Sequence, residues 1–272
     1  ATLPDPYDIA QIITRLKSQQ TNGGSIALIA IDEEFFILIR VLGSHISLFL
    51  SDATAALDYP VAEELMVKRD IDLLRYTNSK LHITGVSSAT TVDLIRAAKK
   101  EGLAISCSVT PTHLFYCDED MTNYNTNLKV IPPVRTKADR EALRAAVVDG
   151  TIDCIASHHA PQDWDHKVCE FEYAEFGNIG LQTTYAALEQ TVPGLKPAQI
   201  SNLLSGNARQ IFGLPGVSIE EGHAAELTIF NRTETTTLTP ENNKSKSSNS
   251  AFMKQPLTGK VMATIHNNQL TQ

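Results

Sequence analysis

Short apolar runs and longer amphipathic segments alternate along most of the chain. Runs typical of buried strands cover residues 80–86, 103–109 and 152–157. Between them, apolar residues spaced three and four apart predict helices over residues 91–100 and 136–148, the second with a capped first turn. Strands that alternate with helices through short connections form parallel sheets. The pattern therefore predicts an α/β fold, either an open doubly wound sheet or a closed (β/α)8 barrel.

The two ends of the chain show a different pattern. Residues 8–17 predict a surface helix, and residues 25–31 and 45–50 are short apolar runs typical of buried strands. Near the other end, strands predicted over residues 226–231 and 259–265 are separated by a polar stretch rich in Thr, Asn, Lys and Ser. We expect this stretch to be an exposed loop in a small β-rich appendage.

Two observations decide between the α/β architectures. The chain has neither G-x-G-x-x-G after its first strand nor G-x-x-x-x-G-K, the signatures of nucleotide-binding open sheets. Its 272 residues are enough for a barrel, which needs about 250. We therefore predict a (β/α)8 TIM-type barrel domain over residues 1–215 and the β-rich appendage over residues 216–272.

Composition narrows the classes of partner. The chain carries 23 Lys and Arg against 31 Asp and Glu, a net charge of -8, which argues against nucleic acid or an anionic membrane as the main partner. Its four cysteines form no C-x-x-C pair, as expected in a reducing compartment. The apolar run at residues 35–42 is too short to span a membrane. We expect a cytoplasmic protein with no nucleic-acid and no membrane partner.

Three histidines follow predicted strands, at the end where a barrel carries its chemistry. His113 follows the strand at 103–109, and His158 and His159 follow the strand at 152–157. Imidazoles in this position can form a metal or acid–base centre, although a His at a strand end is often only a hydrogen-bonded loop residue. A hydrolytic two-metal site also needs inward carboxylates, and acids are scarce at these strand ends.

Several runs, in the same order, resemble the dihydroorotase family of amidohydrolases, of the type found in multifunctional pyrimidine-synthesis complexes. The runs that carry the resemblance include V-T-P-T-H at 109–113, P-P-V-R at 132–135, H-A-P at 159–161, F-G-N-I-G-L-Q-T at 176–183 and N-A-R-Q-I-F-G at 207–213. The resemblance implies an amidohydrolase-like barrel with a β-sandwich built from both chain ends. It also implies reversible ring closure of carbamoyl aspartate to dihydroorotate at a zinc centre. Because only a short segment precedes the first matching run, we expect the front of the barrel to be reduced or incomplete.

Most functional positions of that family carry other side chains in this sequence. Gly85 stands where the family has a zinc-binding His, and His158 stands where it has the Asp that binds metal and acts as general base. The other substituted positions are Ser108, Thr112, Ile131 and Gln162. Glycine offers no ligand atom, and a His cannot act as an anionic bridge. We therefore expect no metal ligands and no catalytic residues, and we assign a remnant of the substrate pocket to these residues: His113, Arg135, His158, His159 and Asn207.

The resemblance leads to one main hypothesis and two rivals. We expect a dihydroorotase-like protein of pyrimidine biosynthesis that lacks catalytic activity, needs no cofactor, forms a homo-oligomer and serves as a structural partner of aspartate transcarbamoylase. The first rival is an active cyclic amidohydrolase that uses His113, His158 and His159 in a rearranged zinc site, so the sequence leaves enzymatic activity open. The second rival is a sensor that binds a pyrimidine intermediate without reacting.

Overall fold

The computed structural model describes residues 8–19, 24–31, 35–51, 59–267 and 269–271. Contacts divide the chain into a first unit, residues 1–77, and a second unit, residues 78–272. This division differs from the predicted boundary at residue 215, because the apolar runs before residue 51 form a sheet of their own. Within the described residues, no helix combines the length and the apolar character needed to cross a membrane.

The first unit is an antiparallel three-stranded sheet with two helices. Helix α1 covers Ile9–Ser18, strands β1, β2 and β3 cover Ser25–Ile31, Phe35–Leu42 and His45–Leu50, and helix α2 covers Pro60–Thr77. The central strand, β2, alternates between buried and more exposed residues. Its buried residues share a core with apolar residues of α1 and α2. β3 was predicted to be buried, but almost all of its residues are exposed.

The second unit contains the predicted α/β pattern. Strands β4, β5 and β6 cover Leu81–Ile83, Ile105–Val109 and Cys154–Ile155, and they pair in parallel in the order β4–β5–β6. Helix α3, Ala89–Lys100, connects β4 to β5. The short helix α4, Pro111–Phe115, and helix α5, Lys137–Val148, lie between β5 and β6.

Local hydrogen bonds determine where α3 and α5 begin. The side chain of Ser88 accepts a hydrogen bond from the backbone N–H of Thr91 at the start of α3. Thr136 and Asp139 form a capping box at the start of α5, which confirms the predicted capped turn. Asp139 also accepts a hydrogen bond from the backbone N–H of Ala89 at 2.8 Å. One carboxylate therefore contacts the first turn of both helices.

The described residues contain three parallel strands, whereas the predicted closed barrel has eight. The chain before residue 78 forms an antiparallel sheet instead, with a tight turn at Gly43, where φ is +60°. Strands joined by such hairpins cannot replace barrel strands, because each parallel pairing needs a longer crossover connection. The α/β class is confirmed; the first apolar runs were predicted as strands without a pairing, and the structure pairs β1 and β3 antiparallel with β2, which lies between them.

The rest of the second unit consists of three helices followed by an antiparallel sheet. Helices α6, α7 and α8 cover Thr184–Thr191, Pro197–Ser201 and Asn207–Ile211, and strands β7, β8 and β9 cover Leu227–Thr237, Pro256–His266 and Gln269–Thr271. The two predicted carboxyl-terminal strands correspond to β7 and β8. Phe252 and Leu257 pack with Ala186 and Ala187 of α6. In the described residues this region is one three-stranded sheet, and a β-sandwich is not present there.

Candidate functional site

Polar side chains converge where the parallel strands end. β4 leads into Thr84 and Gly85, β5 leads into Thr110, and β6 leads into Ser157 and His158. A cavity of about 340 Å³ lies at these strand ends. Its lining includes Thr110, Thr112, His113, Ile131, His158 and Asn178. The structure therefore brings two predicted site residues, His113 and His158, to one cavity.

His113 uses both of its ring nitrogens in hydrogen bonds. Its Nε2 lies 2.8 Å from the carbonyl oxygen of Pro132, and its Nδ1 lies 2.6 Å from the hydroxyl oxygen of Thr110. A carbonyl can only accept, so Nε2 carries the proton and Nδ1 accepts from the Thr110 hydroxyl. The Thr110 oxygen in turn accepts the backbone N–H of His113. Neither nitrogen has a lone pair free for a metal ion or for a substrate proton.

Burial keeps the His113 ring neutral. The side chain is buried at the cavity wall, and this loss of hydration lowers the pKa of His113 to about 4, although the hydrogen bond with Pro132 opposes the shift. The positive charge of Arg135 also lowers the pKa of His113. His113 is therefore an uncharged structural residue at neutral pH.

The ring of His158 lies against Gly85 and leaves no room for a side chain at that position. A Cβ atom at position 85 would lie 2.6 Å from Cε1 of His158 and 3.1 Å from Cδ of Pro132. Both residues also have positive φ, +73° for Gly85 and +42° for His158. The ring of His158 thus occupies the space that a side chain at position 85 would need. In the dihydroorotase family, which this sequence resembles, the residue at the position of Gly85 is a His that binds zinc.

A chain of hydrogen bonds connects His158 to the neighbouring strands. The hydroxyl of Ser108 donates to Thr84 at 3.2 Å, and Oγ1 of Thr84 lies 3.0 Å from Nε2 of His158. Since Thr84 accepts from Ser108, its own proton is available to Nε2 of His158. Burial lowers the pKa of His158, and a backbone hydrogen bond with Ile131 opposes the shift. The ends of β4, β5 and β6 are therefore joined by neutral hydrogen bonds.

His159 and Asn207 do not line this cavity. Nδ1 of His159 accepts the backbone N–H of Gly180 at 3.2 Å, and the residue lines a separate cavity of about 140 Å³ beside Lys244. The side-chain amide of Asn207 donates to the carbonyl oxygen of Asp153 at 2.7 Å, at the amino end of β6. It lines a third cavity, of about 610 Å³, at the opposite ends of the strands. The predicted remnant pocket is thus divided over three places.

Arg135 lies near His113 but is positioned by a hydroxyl group. Its Nε donates to the side-chain oxygen of Ser87 at 3.3 Å. Its positive charge is one of the causes that lower the pKa of His113. Its backbone carbonyl accepts the N–H of Asp118 at 2.9 Å. Arg135 therefore contributes positive charge at the edge of the site.

Two buried asparagines were missed by the sequence analysis. Asn178 donates from its side-chain amide to Thr112 at 3.1 Å. Asn249 accepts the backbone N–H of Gln162 at 3.2 Å and donates to the carbonyl oxygens of Ala160 and Gly177 at 3.0 and 3.2 Å. Asn178 belongs to a run that carries the resemblance, which was the available signal. Asn249 lies in the polar stretch predicted as an exposed loop, yet it is buried.

The donors at the cavity do not fit a dinuclear zinc centre. In the described part of the chain, its lining offers two imidazoles, three hydroxyls and an amide, but no carboxylate. Such a centre needs anionic oxygen ligands and a base for the attacking water. Among the described residues, one group of three potential ligands lies close together, Asp163, Asp165 and His166, but all three are exposed. Exposed acidic groups of this kind are common without a metal ion.

Comparisons with known proteins match different families in the two parts of the chain. Residues 3–82 match the family described as Rv3753c-like tRNA adenosine deaminase-associated protein. Over 212 residues the chain is 41% identical to the dihydroorotase of Caldanaerobacter subterraneus subsp. tengcongensis, which covers 77% of this chain and 49% of that protein. It is 38% identical over 207 residues to the dihydroorotase of Syntrophus aciditrophicus, and this alignment covers 75% of this chain and 49% of that protein. The chain spans about half the length of these relatives.

Solved structures show the same fold at lower identity. The D-hydantoinase of Bacillus sp. AR9 matches with a TM-score of 0.70 at 22% identity and covers 78% of this chain and 49% of that one. The L-hydantoinase of Arthrobacter aurescens matches with a TM-score of 0.70 at 21% identity, and this match covers 96% of this chain and 54% of that one. The inactive dihydroorotase-like domain of the Chaetomium thermophilum CAD-like multifunctional protein matches with a TM-score of 0.54 at 19% identity. This match covers 74% of this chain and 53% of that one. The identity to dihydroorotases over about three quarters of the chain shows that it belongs to the dihydroorotase-like family of amidohydrolases, whereas the solved structures show the fold alone.

Proposed function

We propose that the dihydroorotase-like part of this chain is a non-catalytic scaffold in pyrimidine biosynthesis. In this proposal it acts in the cytoplasm, without a metal ion, as a structural partner of aspartate transcarbamoylase. The observation that carries the proposal is the contact between His158 and Gly85. An imidazole fills the space of a ligand side chain, and the anionic base of the family is replaced by that same imidazole.

The hydrogen bonds of the two cavity histidines support this proposal. A hydrolytic water needs a base whose lone pair is free. The lone pair of His113 on Nδ1 accepts the Thr110 hydroxyl, and Nε2 of His158 lies within hydrogen-bond distance of the Thr84 hydroxyl. Each imidazole would therefore have to break or reverse a hydrogen bond with a hydroxyl group before it could take a proton from a water molecule.

The same hydrogen bonds suit a structural role. A scaffold needs its strand ends held in place, but it needs no open position for a substrate or a ligand. The Ser108–Thr84–His158 chain joins the ends of three strands with neutral groups. The fold is also found in a domain described as inactive within a multifunctional protein, so this architecture is compatible with loss of chemistry.

We also propose that β4, β5 and β6 are part of an eight-stranded barrel and that the sheet β7–β9 is part of a β-sandwich. Support comes from length, because the chain spans about half of the dihydroorotases and of the hydantoinases that it matches. Three parallel strands with helical crossovers are what a portion of such a barrel contains.

Metal analysis combined with an activity assay tests the loss of catalysis. The intact chain is purified without chelators, beside the Caldanaerobacter dihydroorotase prepared in the same way as a positive control. We expect far less than one zinc ion per chain and no cyclisation of carbamoyl aspartate. Stoichiometric zinc together with turnover would contradict the proposal.

Co-expression with aspartate transcarbamoylase tests the partnership separately. We expect the two proteins to elute as one complex in size-exclusion chromatography. Elution in two separate peaks would contradict the partnership while leaving the loss of catalysis to be judged by the assay above.

The rival hypotheses have less support from the geometry. An active amidohydrolase with a rearranged zinc site needs His113, His158 and His159 around one ion, but His159 lines a different cavity from the other two. A sensor of a pyrimidine intermediate needs only the cavity itself. Calorimetry with dihydroorotate distinguishes it, because saturable binding without turnover would favour a sensor over a scaffold.

The match of residues 3–82 favours a second function for the first unit. Its family is described as tRNA adenosine deaminase-associated, and we propose the same kind of association for this chain. The test is retention of purified tRNA adenosine deaminase on the immobilised intact chain. Retention is the expected result, and free passage of the deaminase would contradict the proposal.

A further inference from the structure

The small cavity beside Lys244 is lined by hydrogen-bond donors and by no acid. Its lining in the described residues includes His159, Gln182, Lys244 and Ser245, with neither Asp nor Glu among them. Its volume of about 140 Å³ corresponds to roughly five water molecules at about 30 Å³ each. A space of this size suits a small ion or a single polar group of a larger ligand.

The hydrogen bonds of His159 determine its tautomer. Nδ1 lies 3.2 Å from the backbone nitrogen of Gly180 and 3.5 Å from that of Leu181. A backbone N–H can only donate, so Nδ1 carries the lone pair and the proton of the neutral ring is on Nε2. The described part of the chain provides no hydrogen-bond partner for Nε2. His159 therefore has a donor N–H that these residues do not use.

Two further residues of the lining also have unused donors. Oγ of Ser245 accepts the backbone N–H of Ser247 at 3.2 Å, and no described residue accepts the Ser245 hydroxyl proton. The ammonium group of Lys244 has neither a hydrogen bond nor an ion pair within the residues that the structure describes. Three donors around one small cavity, one of them charged, favour an anion that has several oxygen atoms.

Gln182 holds the loop that carries Lys244 and Ser245. Its Nε2 donates to the carbonyl oxygen of Asn242 at 3.0 Å, and its Oε1 accepts the backbone N–H of Lys244 at 2.6 Å. One side chain thus fixes this part of the loop through both ends of its amide group. Because the backbone on this side of the cavity is already ordered, a ligand would bind at a lower cost in conformational entropy.

We propose that this cavity binds a phosphate group, as the free ion or at the end of an ester, between His159, Lys244 and Ser245. A tetrahedral anion can accept donors from three different directions, whereas a carboxylate has two oxygens in one plane. The ammonium group would supply the charge attraction, while the imidazole N–H and the hydroxyl would donate to the other oxygens. This inference goes beyond the proposed function and does not depend on it.

Calorimetric titration of the intact chain with inorganic phosphate tests the site. We expect saturable binding of one phosphate per chain. Lys244→Gln removes the charged donor and is expected to weaken binding by at least about 10-fold. The matched control is Lys246→Gln, because Lys246 is an exposed lysine of the same stretch but does not line the cavity. This variant has the same net charge as Lys244→Gln and is expected to bind phosphate like the wild type.

A second substitution tests the imidazole donor. His159→Asn keeps an oxygen near the position of Nδ1, which can accept the N–H of Gly180, but it lacks the N–H on Nε2. This variant is therefore expected to fold and to bind phosphate about 10-fold more weakly. Circular dichroism verifies the fold of each variant.

Two other anions test the chemical class of the ligand. Acetate is expected to bind more weakly than phosphate, because it has only two oxygens. Glycerol 3-phosphate is expected to bind as well; tighter binding than that of inorganic phosphate would assign the site to esters, and weaker binding would assign it to the free ion. The proposal would be overturned by an absence of saturable phosphate binding, by equal losses in Lys244→Gln and Lys246→Gln, or by acetate that binds as tightly as phosphate.

Discussion

Cε1 of His158 lies 2.6 Å from the point that a Cβ atom would occupy at residue 85. The ring can take this position only because Gly85 has no side chain. The two departures from the dihydroorotase pattern at these positions are therefore coupled in the structure, and restoring one of them alone should be unfavourable.

Gly85→Ala is expected to destabilise the second unit more than Gly102→Ala. Both glycines have positive φ, +73° and +84°, so both alanines carry a backbone cost of about 1–2 kcal/mol. A Cβ at Gly102 meets no atom within 4 Å, whereas a Cβ at Gly85 overlaps His158. The overlap adds about 1–3 kcal/mol. Urea unfolding followed by circular dichroism measures the difference.

Removing the opposing ring tests the cause of that difference. In the background of His158→Ala, the added cost of Gly85→Ala should fall towards that of Gly102→Ala, since the backbone cost and the close approach to Cδ of Pro132 remain but the overlap with the ring is gone. An unchanged cost in this background would show that the contact with His158 is not responsible.

Stability is expected to fall on acidification through the titration of His113. The pKa of His113 is lowered to about 4 by burial, whereas an unfolded His has its ordinary value near 6.5. The unfolded state therefore binds more protons in this range, and stability is lost as the pH falls from about 6.5 to about 4. The expected loss is roughly 3 kcal/mol. Urea unfolding at a series of pH values measures it.

His113→Gln provides the control for the pH dependence. This variant keeps a hydrogen-bonding side chain but does not titrate, so the difference between it and the wild type isolates His113. His158 has a pKa lowered in the same direction and is present in both proteins. Identical pH profiles for the two proteins, or a His113 resonance that titrates near pH 6.5, would contradict the expectation.

Asn249→Ala is expected to release the loops that surround the cavity. Its side chain bonds the backbone at residues 160, 162 and 177, and the loss leaves buried groups unpaired. A cost of about 3 kcal/mol follows. Hydrogen exchange should increase at Gln162, whose N–H donates to Asn249. Asn242→Ala is the control, because Asn242 is exposed and should cost less than about 1 kcal/mol; equal effects of the two variants would refute the anchoring role.

Chelators are expected to leave the stability of the second unit unchanged. The strand ends are joined by hydrogen bonds among Ser108, Thr84 and His158 rather than by ligand atoms around an ion. A bound metal would stabilise the folded state by mass action. The thermal unfolding midpoint is measured with EDTA and with added zinc. A midpoint that rises with zinc and falls with EDTA would show a metal site in this protein.

Local signals predicted much of the second unit. The strands β4 and β5, the helix α3 and the capped start of α5 follow from short-range hydrophobic spacing and from side-chain capping, which act within a few residues. The pairing within the first unit was not predicted, because a short apolar run fits a parallel and an antiparallel strand equally well. Only the pairing partner, which is distant in sequence, distinguishes the two.

The same limit applies to the candidate site. His113 and His158 were expected together and line one cavity. His159 follows directly, but the positive φ of His158 turns the backbone at that point, and His159 lines another cavity. The place of Asn207 depends on which end of β6 its helix approaches, and the residue pattern within α8 carries no information about that approach.

Asp139 places a single negative charge at the amino ends of α3 and α5. The aligned peptide dipoles of a helix leave partial positive charge at that end. Replacing this carboxylate with an uncharged side chain would therefore leave two helix dipoles uncompensated at once, and the helices that follow neighbouring strands would lose stability together.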